Sequence, residues 1–186
     1  MSHTATPAST NPATSARLQL DALLKHIGIA PLAETGWIRV TGEDRVRWLN
    51  GMVTNSVQTL QTGEGCYNFL LNAQGRIQGD AFVFAEPEAL LVETAAAQVP
   101  RLIALLDRFI IMDDVELADV SSTQTGLLVV GPEAENMLSA IALHSAPVQL
   151  SLADMKWRSA EVRLLHAFSP LVPRFELRPT QPRSKL

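Results

Sequence analysis

Residues 65–84 decide the fold: Gly65-Cys66-Tyr67-Asn68-Phe69-Leu70-Leu71-Asn72-Ala73-Gln74-Gly75-Arg76-Ile77-Gln78-Gly79-Asp80-Ala81-Phe82-Val83-Phe84. The first eight residues are rich in strand formers. Ala73 to Arg76 make a turn, with Gly75 available for positive φ. Beyond it Ile77, Gly79, Ala81 and Val83 alternate with Gln78, Asp80 and Phe82, the period of a half-buried strand. Glu86-Pro87-Glu88 makes the next turn, and residues 89–93 read as a third strand. Residues 65–94 therefore predict a three-stranded antiparallel meander.

Upstream of the meander, Leu20, Leu23, Leu24 and Ile27 recur at helical spacing, and Gly28 and Pro31 end that helix. Residues 36–40 read as a strand. Thr41-Gly42-Glu43-Asp44 reads as a helix start, with Thr41 as the cap and Val46, Trp48 and Leu49 on the buried face. Downstream, Pro100 suits the first turn of a helix over 98–109, whose apolar face is Leu102, Leu105, Leu106 and Phe109. Residues 115–120, 127–130 and 162–167 read as strands, and Gly131-Pro132-Glu133 opens a helix over 134–143. This order predicts an α+β fold of mixed, mainly antiparallel sheets with packed helices.

The expected organisation is a disordered leader (1–17), an N-terminal α+β domain (18–122), a partial second α+β domain (123–178) and a disordered tail (179–186). The leader is rich in Thr, Ser, Ala and Pro. Pro170, Pro173, Pro179 and Pro182 crowd the end of the chain. There Phe175-Glu176-Leu177 is at most a short strand, with nothing after it to pack.

Apolar residues make up 47% of the chain and charged residues 18%, which argues against global disorder. The net charge is −4 and no Lys/Arg block forms, which argues against direct nucleic-acid binding. The single cysteine, Cys66, cannot form an internal disulfide or build a cysteine-based metal site alone. With Glu64 two residues away rather than a cation, it reads as a small buried residue and not a reactive thiol. The four histidines show no metal-ligand spacing, and Asp113-Asp114 reads as a turn or helix terminus, so no metal site is expected. The longest apolar runs, 102–106 and 127–130, are too short to span a membrane. Met1 to Arg17 lacks the basic start and apolar stretch of a signal peptide, so a cytoplasmic protein is expected.

The candidate chemistry lies on the hairpin, which gathers Asn72, Arg76 and Asp80 around its turn. Asp80 is flanked by Gly79 and the apolar run 81–84. A carboxylate partly desolvated there suits proton transfer or a hydrogen bond to a heterocyclic N–H; the alternative is a solvated Asp on an outer strand face. Asn72 either binds a ligand or shapes the turn through its own side chain. Residues 126–132 lack the glycines of a phosphate loop and read as a core strand entering a proline-started helix.

Four blocks carry a family resemblance: Trp48-Leu49-Asn50-Gly51-Met52-Val53-Thr54-Asn55, then residues 63–77, 106–117 and 126–132. In this order and spacing the chain resembles the N-terminal half of YgfZ-type folate-binding proteins, in the glycine-cleavage T-protein (aminomethyltransferase) superfamily. The resemblance covers about residues 18–140, and more faintly continues to 178. It implies two α+β domains and a C-terminal β-barrel around a central tetrahydrofolate site. It also implies a role in the assembly or maintenance of iron–sulfur enzymes, which would be the partners. By this resemblance Asn72 and Asp80 line one wall of the folate site, Arg76 stands at its edge, and no residue is catalytic.

Two departures refine the expectation. Aminomethyl-transferring T-proteins carry paired acids just after the Asn-Ala-x-Gly turn, where this chain has Gly79-Asp80. That speaks against glycine-cleavage chemistry and leans away from an enzyme. The KGCYxGQE signature and the barrel are absent, so a truncated form is expected. Such a form implies a weak, incomplete folate site and apolar surface left exposed around residues 127–130 and Leu164-Leu165. An aminomethyltransferase of the glycine cleavage system, or a non-catalytic fragment or interaction module, stand as alternatives.

Overall fold

The computed structural model describes residues 12–143 and 147–180. The chain runs α1 (Pro12–Lys25), β1 (Gly28–Pro31), β2 (Thr35–Thr41), α2 (Arg45–Asn50), β3 (Gly65–Leu71), β4 (Ile77–Ala85), β5 (Leu90–Ala95), α3 (Val99–Asp107) and β6 (Glu116–Asp119). It continues with β7 (Leu127–Val130), α4 (Ala134–Ala140), β8 (Ser151–Trp157), β9 (Ala160–Ala167) and β10 (Arg174–Pro179). Among the described residues these strands form two five-stranded sheets, ordered β3-β4-β5-β2-β6 and β1-β7-β10-β9-β8. Every strand pairing in them is antiparallel. The α+β class expected from the sequence is the class observed.

The meander over 65–94 forms as its alternation dictates. Gly79, Ala81 and Val83 are buried along β4, while Gln78, Asp80 and Phe82 are half-buried on the other face. The first face joins Ile38, Val40, Leu90 and Val92 in a core closed by Trp48 and Leu49 of α2 and by Val99, Leu102 and Leu106 of α3. A side chain fully buried in this way contributes about 1.5–3 kcal/mol. The other face carries Trp37, Phe84 and Leu91 against Leu165 and Ala167 of β9, so the first sheet packs on the second. The second sheet has its own core, Val129, Val162, Leu164 and Phe175 under Ala134 and Leu138 of α4.

Several local expectations are corrected. Thr41 ends β2 rather than capping a helix, and α2 begins at Arg45 with no side-chain cap bond. Gly42 intervenes at φ +100, and a Cβ there would stand 2.0 Å from the Asp114 carbonyl oxygen. The loop amides are satisfied by carboxylates instead. Asp114 Oδ2 accepts from the Glu43 N–H at 2.9 Å, and Asp44 Oδ2 accepts from the Asp114 N–H at 3.0 Å. Asp113 pairs with Arg47 at 2.6 Å. Residues 28–31 do more than end α1: they form the edge strand β1 against β7. Helix α1 begins at Pro12, inside the stretch that composition assigns to the leader. Residues 1–11 and 181–186, which hold the rest of that leader and nearly all of the expected tail, lie outside the described residues.

The largest correction concerns the proline-rich end. Residues 174–179 form β10, the middle strand of the second sheet, paired with both β7 and β9. Its prolines flank the strand or close it, where a missing N–H costs no ladder bond. With β10 in place, Leu164 and Leu165 are 0% and 1% exposed, so the apolar surface expected there is covered. Leu127 remains exposed. Strand β8 was absent from the sequence-based expectation, although Ala153, Met155 and Trp157 alternate with Asp154 and Lys156 in the required period.

Candidate functional site

A cavity of about 240 Å³ opens where β4 and β5 of the first sheet meet β10 of the second; its lining includes Asp80, Phe82, Glu93, Thr94, Gln98 and Arg174. Phe82 pairs directly with Glu93, so Asp80, two residues before Phe82, projects from the same sheet face as Glu93. Asp80 and Glu93 thus stand together on one wall, and Glu34 also lines the cavity.

Asp80 is held in a fixed orientation. Its Oδ2 accepts from the Tyr67 hydroxyl at 2.9 Å and its Oδ1 from Gln98 Nε2 at 3.3 Å. The Thr94 hydroxyl donates to its backbone carbonyl at 2.8 Å. Burial, and then the adjoining Asp80 carboxylate, push the Tyr67 phenol above its ordinary range, which keeps it a donor. The preceding position is crowded: a Cβ on Gly79 would lie 2.7 Å from Leu102 Cδ2 and 2.8 Å from Gln98 Oε1, so those side-chain ends would have to shift to admit one.

Glu93 is 5% exposed. Its Oε2 is buried without a hydrogen-bond partner among the described residues, and its Oε1 stands 3.9 Å from Arg174. That guanidinium donates instead to the fully buried Glu176 at 2.7 Å, and Arg178 donates to the other oxygen of Glu176. Burial and the like charge of Glu176 push the Glu93 carboxyl up to about 8, against the opposing pull of Arg178 and Arg174. A hydrogen bond shared with the Glu176 carboxyl adds to the upward shift, so the site favours the protonated form of Glu93 more than an exposed position would.

The structure does not bring the three residues expected from the sequence together. Asp80 lines the cavity; Asn72 and Arg76 do not. Asn72 Oδ1 accepts from the Gln74 N–H at 3.0 Å and the Arg76 N–H at 2.9 Å, so of its two readings the turn-shaping one is realised. Arg76 sits exposed at the tip. Glu93, Arg174, Glu176 and Arg178 escaped sequence reasoning. A signal existed for three of them: in Arg174-Phe175-Glu176-Leu177-Arg178 the charges fall at every second position, which puts them on one face of a strand. Cys66 is buried, its thiol pushed up by burial despite a hydrogen bond from Asn68 Nδ2 at 3.2 Å, as expected of an inert cysteine. Among the described residues no helix is long and apolar enough to cross a membrane.

Fold and cavity define a class: a two-sheet α+β chain with a polar cavity at the seam between its sheets. The chain belongs to the GCVT N-terminal domain family, whose profile matches residues 11–172. An aminomethyltransferase of Clostridium botulinum is 33% identical over 135 residues, covering 70% of this chain and 34% of that protein. An aminomethyltransferase of Thermotoga petrophila is 25% identical over 162 residues, covering 87% of this chain and 43% of that protein. The crystal structure of the glycine cleavage system aminomethyltransferase T from Bartonella henselae shares the fold, with a TM-score of 0.75 and 17% identity over 91% of this chain and 46% of that one. The chain thus spans less than half the length of these relatives. The resemblance to the aminomethyltransferase superfamily is borne out at that level.

Proposed function

We propose that this chain forms the pterin-facing wall of a tetrahydrofolate site, in a protein of the YgfZ type that binds folate without transferring an aminomethyl group. The observation that carries the reading is Asp80: half-buried, lining the cavity, and oriented by Tyr67 and Gln98. A carboxylate fixed in this way accepts hydrogen bonds from the N–H groups of a reduced pterin without paying to be ordered. At about 240 Å³ the cavity suits the bicyclic head and not a whole folate, since drug-sized ligands occupy roughly 300–1,000 Å³. Asn72 acts here through the turn it closes, and Arg76 is proposed to meet the anionic glutamate end of the ligand. Bound tetrahydrofolate would supply a one-carbon carrier.

Gly79 supports binding over transfer, because the position that the family resemblance assigns to the second acid carries no carboxyl here and is packed by Leu102 and Gln98. The iron–sulfur role rests on the family resemblance. With one buried cysteine, this chain would serve iron–sulfur client enzymes or assembly proteins and not hold a cluster, and a cytoplasmic location goes with that role. Anaerobic calorimetric titration of tetrahydrofolate into the wild-type chain and Asp80→Ala tests the reading. Measurable binding, weakened at least tenfold by the substitution, is expected. No binding to the wild type would sink the proposal, and equal affinities would remove Asp80 from the site.

A second reading, aminomethyl transfer within the glycine cleavage system, is favoured by the names of the relatives. It predicts ammonia release from an aminomethylated carrier protein in the presence of tetrahydrofolate, and no release excludes it.

A further inference from the structure

A run of aromatic rings begins at the cavity wall and leads away from it. Tyr67 lies directly opposite Phe82 across β3 and β4, and Phe69 opposite Asp80, so these side chains share one face of the first sheet. The Tyr67 ring lies 4.9 Å from Phe82 and 5.2 Å from Phe69, centroid to centroid. Phe168, immediately after β9 of the second sheet, sets its ring 6.4 Å from Phe82 at an interplanar angle of 31°. Phe82 also lines the cavity, and the Tyr67 hydroxyl donates to Asp80. The buried core of the seam is made by Trp37, Phe84, Leu91, Leu165 and Ala167. Phe168 stands outside it, 47% exposed, and Tyr67 is 37% exposed.

Resting on the folate reading above, we propose that Phe168, with Phe82 beside it, forms a second subsite that takes the aryl ring of the ligand. The cavity suits the bicyclic head and not the whole molecule, so the rest must lie on the surface next to it. A short methylene–amine linker joins the head to the aryl ring, so that ring settles close to the cavity mouth. Phe82 carries the cavity wall out onto the rings of Phe168 and Tyr67. The opposite part of the lining, Glu34, Thr35, Ala95 and Gln98, offers no ring.

Head and tail of the ligand thus meet chemically different walls. Inside the cavity the contacts are polar, and Asp80 is the oriented acceptor. Outside it, an aryl ring laid against Phe168 and Phe82 removes exposed aromatic surface from water and gains offset or edge-on ring contacts. The two contacts are made by separate side chains to separate parts of the ligand, so their losses should be independent. Removing Asp80 weakens any compound that carries the head, whereas removing the Phe168 ring weakens only compounds that also carry the aryl group.

The test is anaerobic calorimetric titration with 6-methyltetrahydropterin, which is the head alone, and with tetrahydropteroate, which adds the aryl ring without the glutamate. Wild type, Phe168→Ala, Phe168→Tyr and Asp80→Ala are compared. The wild type is expected to bind tetrahydropteroate at least about tenfold more tightly than the head alone, the scale of one aromatic stacking contact. Phe168→Ala should reduce that preference to under about threefold while leaving affinity for the head unchanged, and Phe168→Tyr should keep it. Asp80→Ala should weaken both compounds alike. Cooperative unfolding of each variant guards against a misfolded one. If Phe168→Ala does not fold, Phe168→Gln removes the ring with a side chain suited to an exposed position and must lose the preference in the same way. Equal binding of the two compounds by the wild type, a preference that survives Phe168→Ala, or a loss of both affinities in that variant overturns the subsite and leaves the folate reading standing. Failure of the wild type to bind either compound overturns both.

Discussion

Arg178 stands over the indole of Trp37, with its guanidinium carbon 3.8 Å from the ring centroid. Arg178 belongs to β10 of the second sheet and Trp37 to β2 of the first, and they are 3% and 1% exposed. A cation over a desolvated aromatic face is worth about 2 kcal/mol, and Arg178 also donates to the buried Glu176. Arg178→Ala would leave Glu176 with Arg174 alone. Removing one partner of a buried ion pair costs about 3–5 kcal/mol, so the urea midpoint should fall accordingly. A loss under about 1 kcal/mol would show that the seam is held by apolar packing alone.

Glu93 links stability to pH. Its folded-state value of about 8 lies above the ordinary 4.5, so between those limits the native state holds a proton that the unfolded chain has released. Stability from this group therefore falls as pH rises from 4.5 to 8, and levels off above. Urea unfolding at several pH values in that window should show the decline in wild type and a flatter profile in Glu93→Gln. Identical slopes would mean that Glu93 is ionised throughout.

Tyr67→Phe removes one of the two side-chain donors that orient Asp80, while the Tyr67 ring is partly exposed and its contacts with Phe69 and Phe82 survive. Global stability should change little. Tetrahydrofolate affinity should drop about three- to tenfold, the effect of one net hydrogen bond of about 1 kcal/mol, and by less than in Asp80→Ala. Calorimetric titration of the two variants side by side checks the order, and unchanged affinity in Tyr67→Phe would remove the phenol from the site.

Gly79→Asp supplies the second acid that the family resemblance assigns to aminomethyl-transferring T-proteins, but brings a Cβ against the side-chain ends of Leu102 and Gln98. Overpacking of this kind costs about 1–3 kcal/mol. The variant should melt earlier and still release no ammonia from an aminomethylated carrier. A variant of wild-type stability that turns over would show that only the missing acid separates this chain from a transferase.

Much of the first sheet was legible in the residues themselves. Alternation along β4, Gly75 in the turn and the Leu102–Leu106 face of α3 are local patterns, and the structure contains all three. Asp80 was legible as a carboxylate between apolar strand residues. The misplaced helix start was not, because Thr41 carries a plausible cap, and only the Asp114 backbone lying against Gly42 forbids it.

By itself, then, the sequence determined the class of fold, the meander, and the family blocks, since periodicity and turn chemistry are expressed within single segments. Tertiary structure alone decided that the proline-rich end is the central strand of a sheet, that Asn72 closes a turn while Asp80 faces a cavity, and that Glu93 is buried beside Arg174 and Glu176. The physical reason is that a charge in a strand is tolerated in a core only where its counter-charges meet it. Those of Glu176 lie on its own strand, but the environment of Glu93 is set by Arg174, Glu176 and Arg178 from a distant part of the chain. No local pattern in residues 90–95 announces neighbours that only the packing of one sheet on the other supplies.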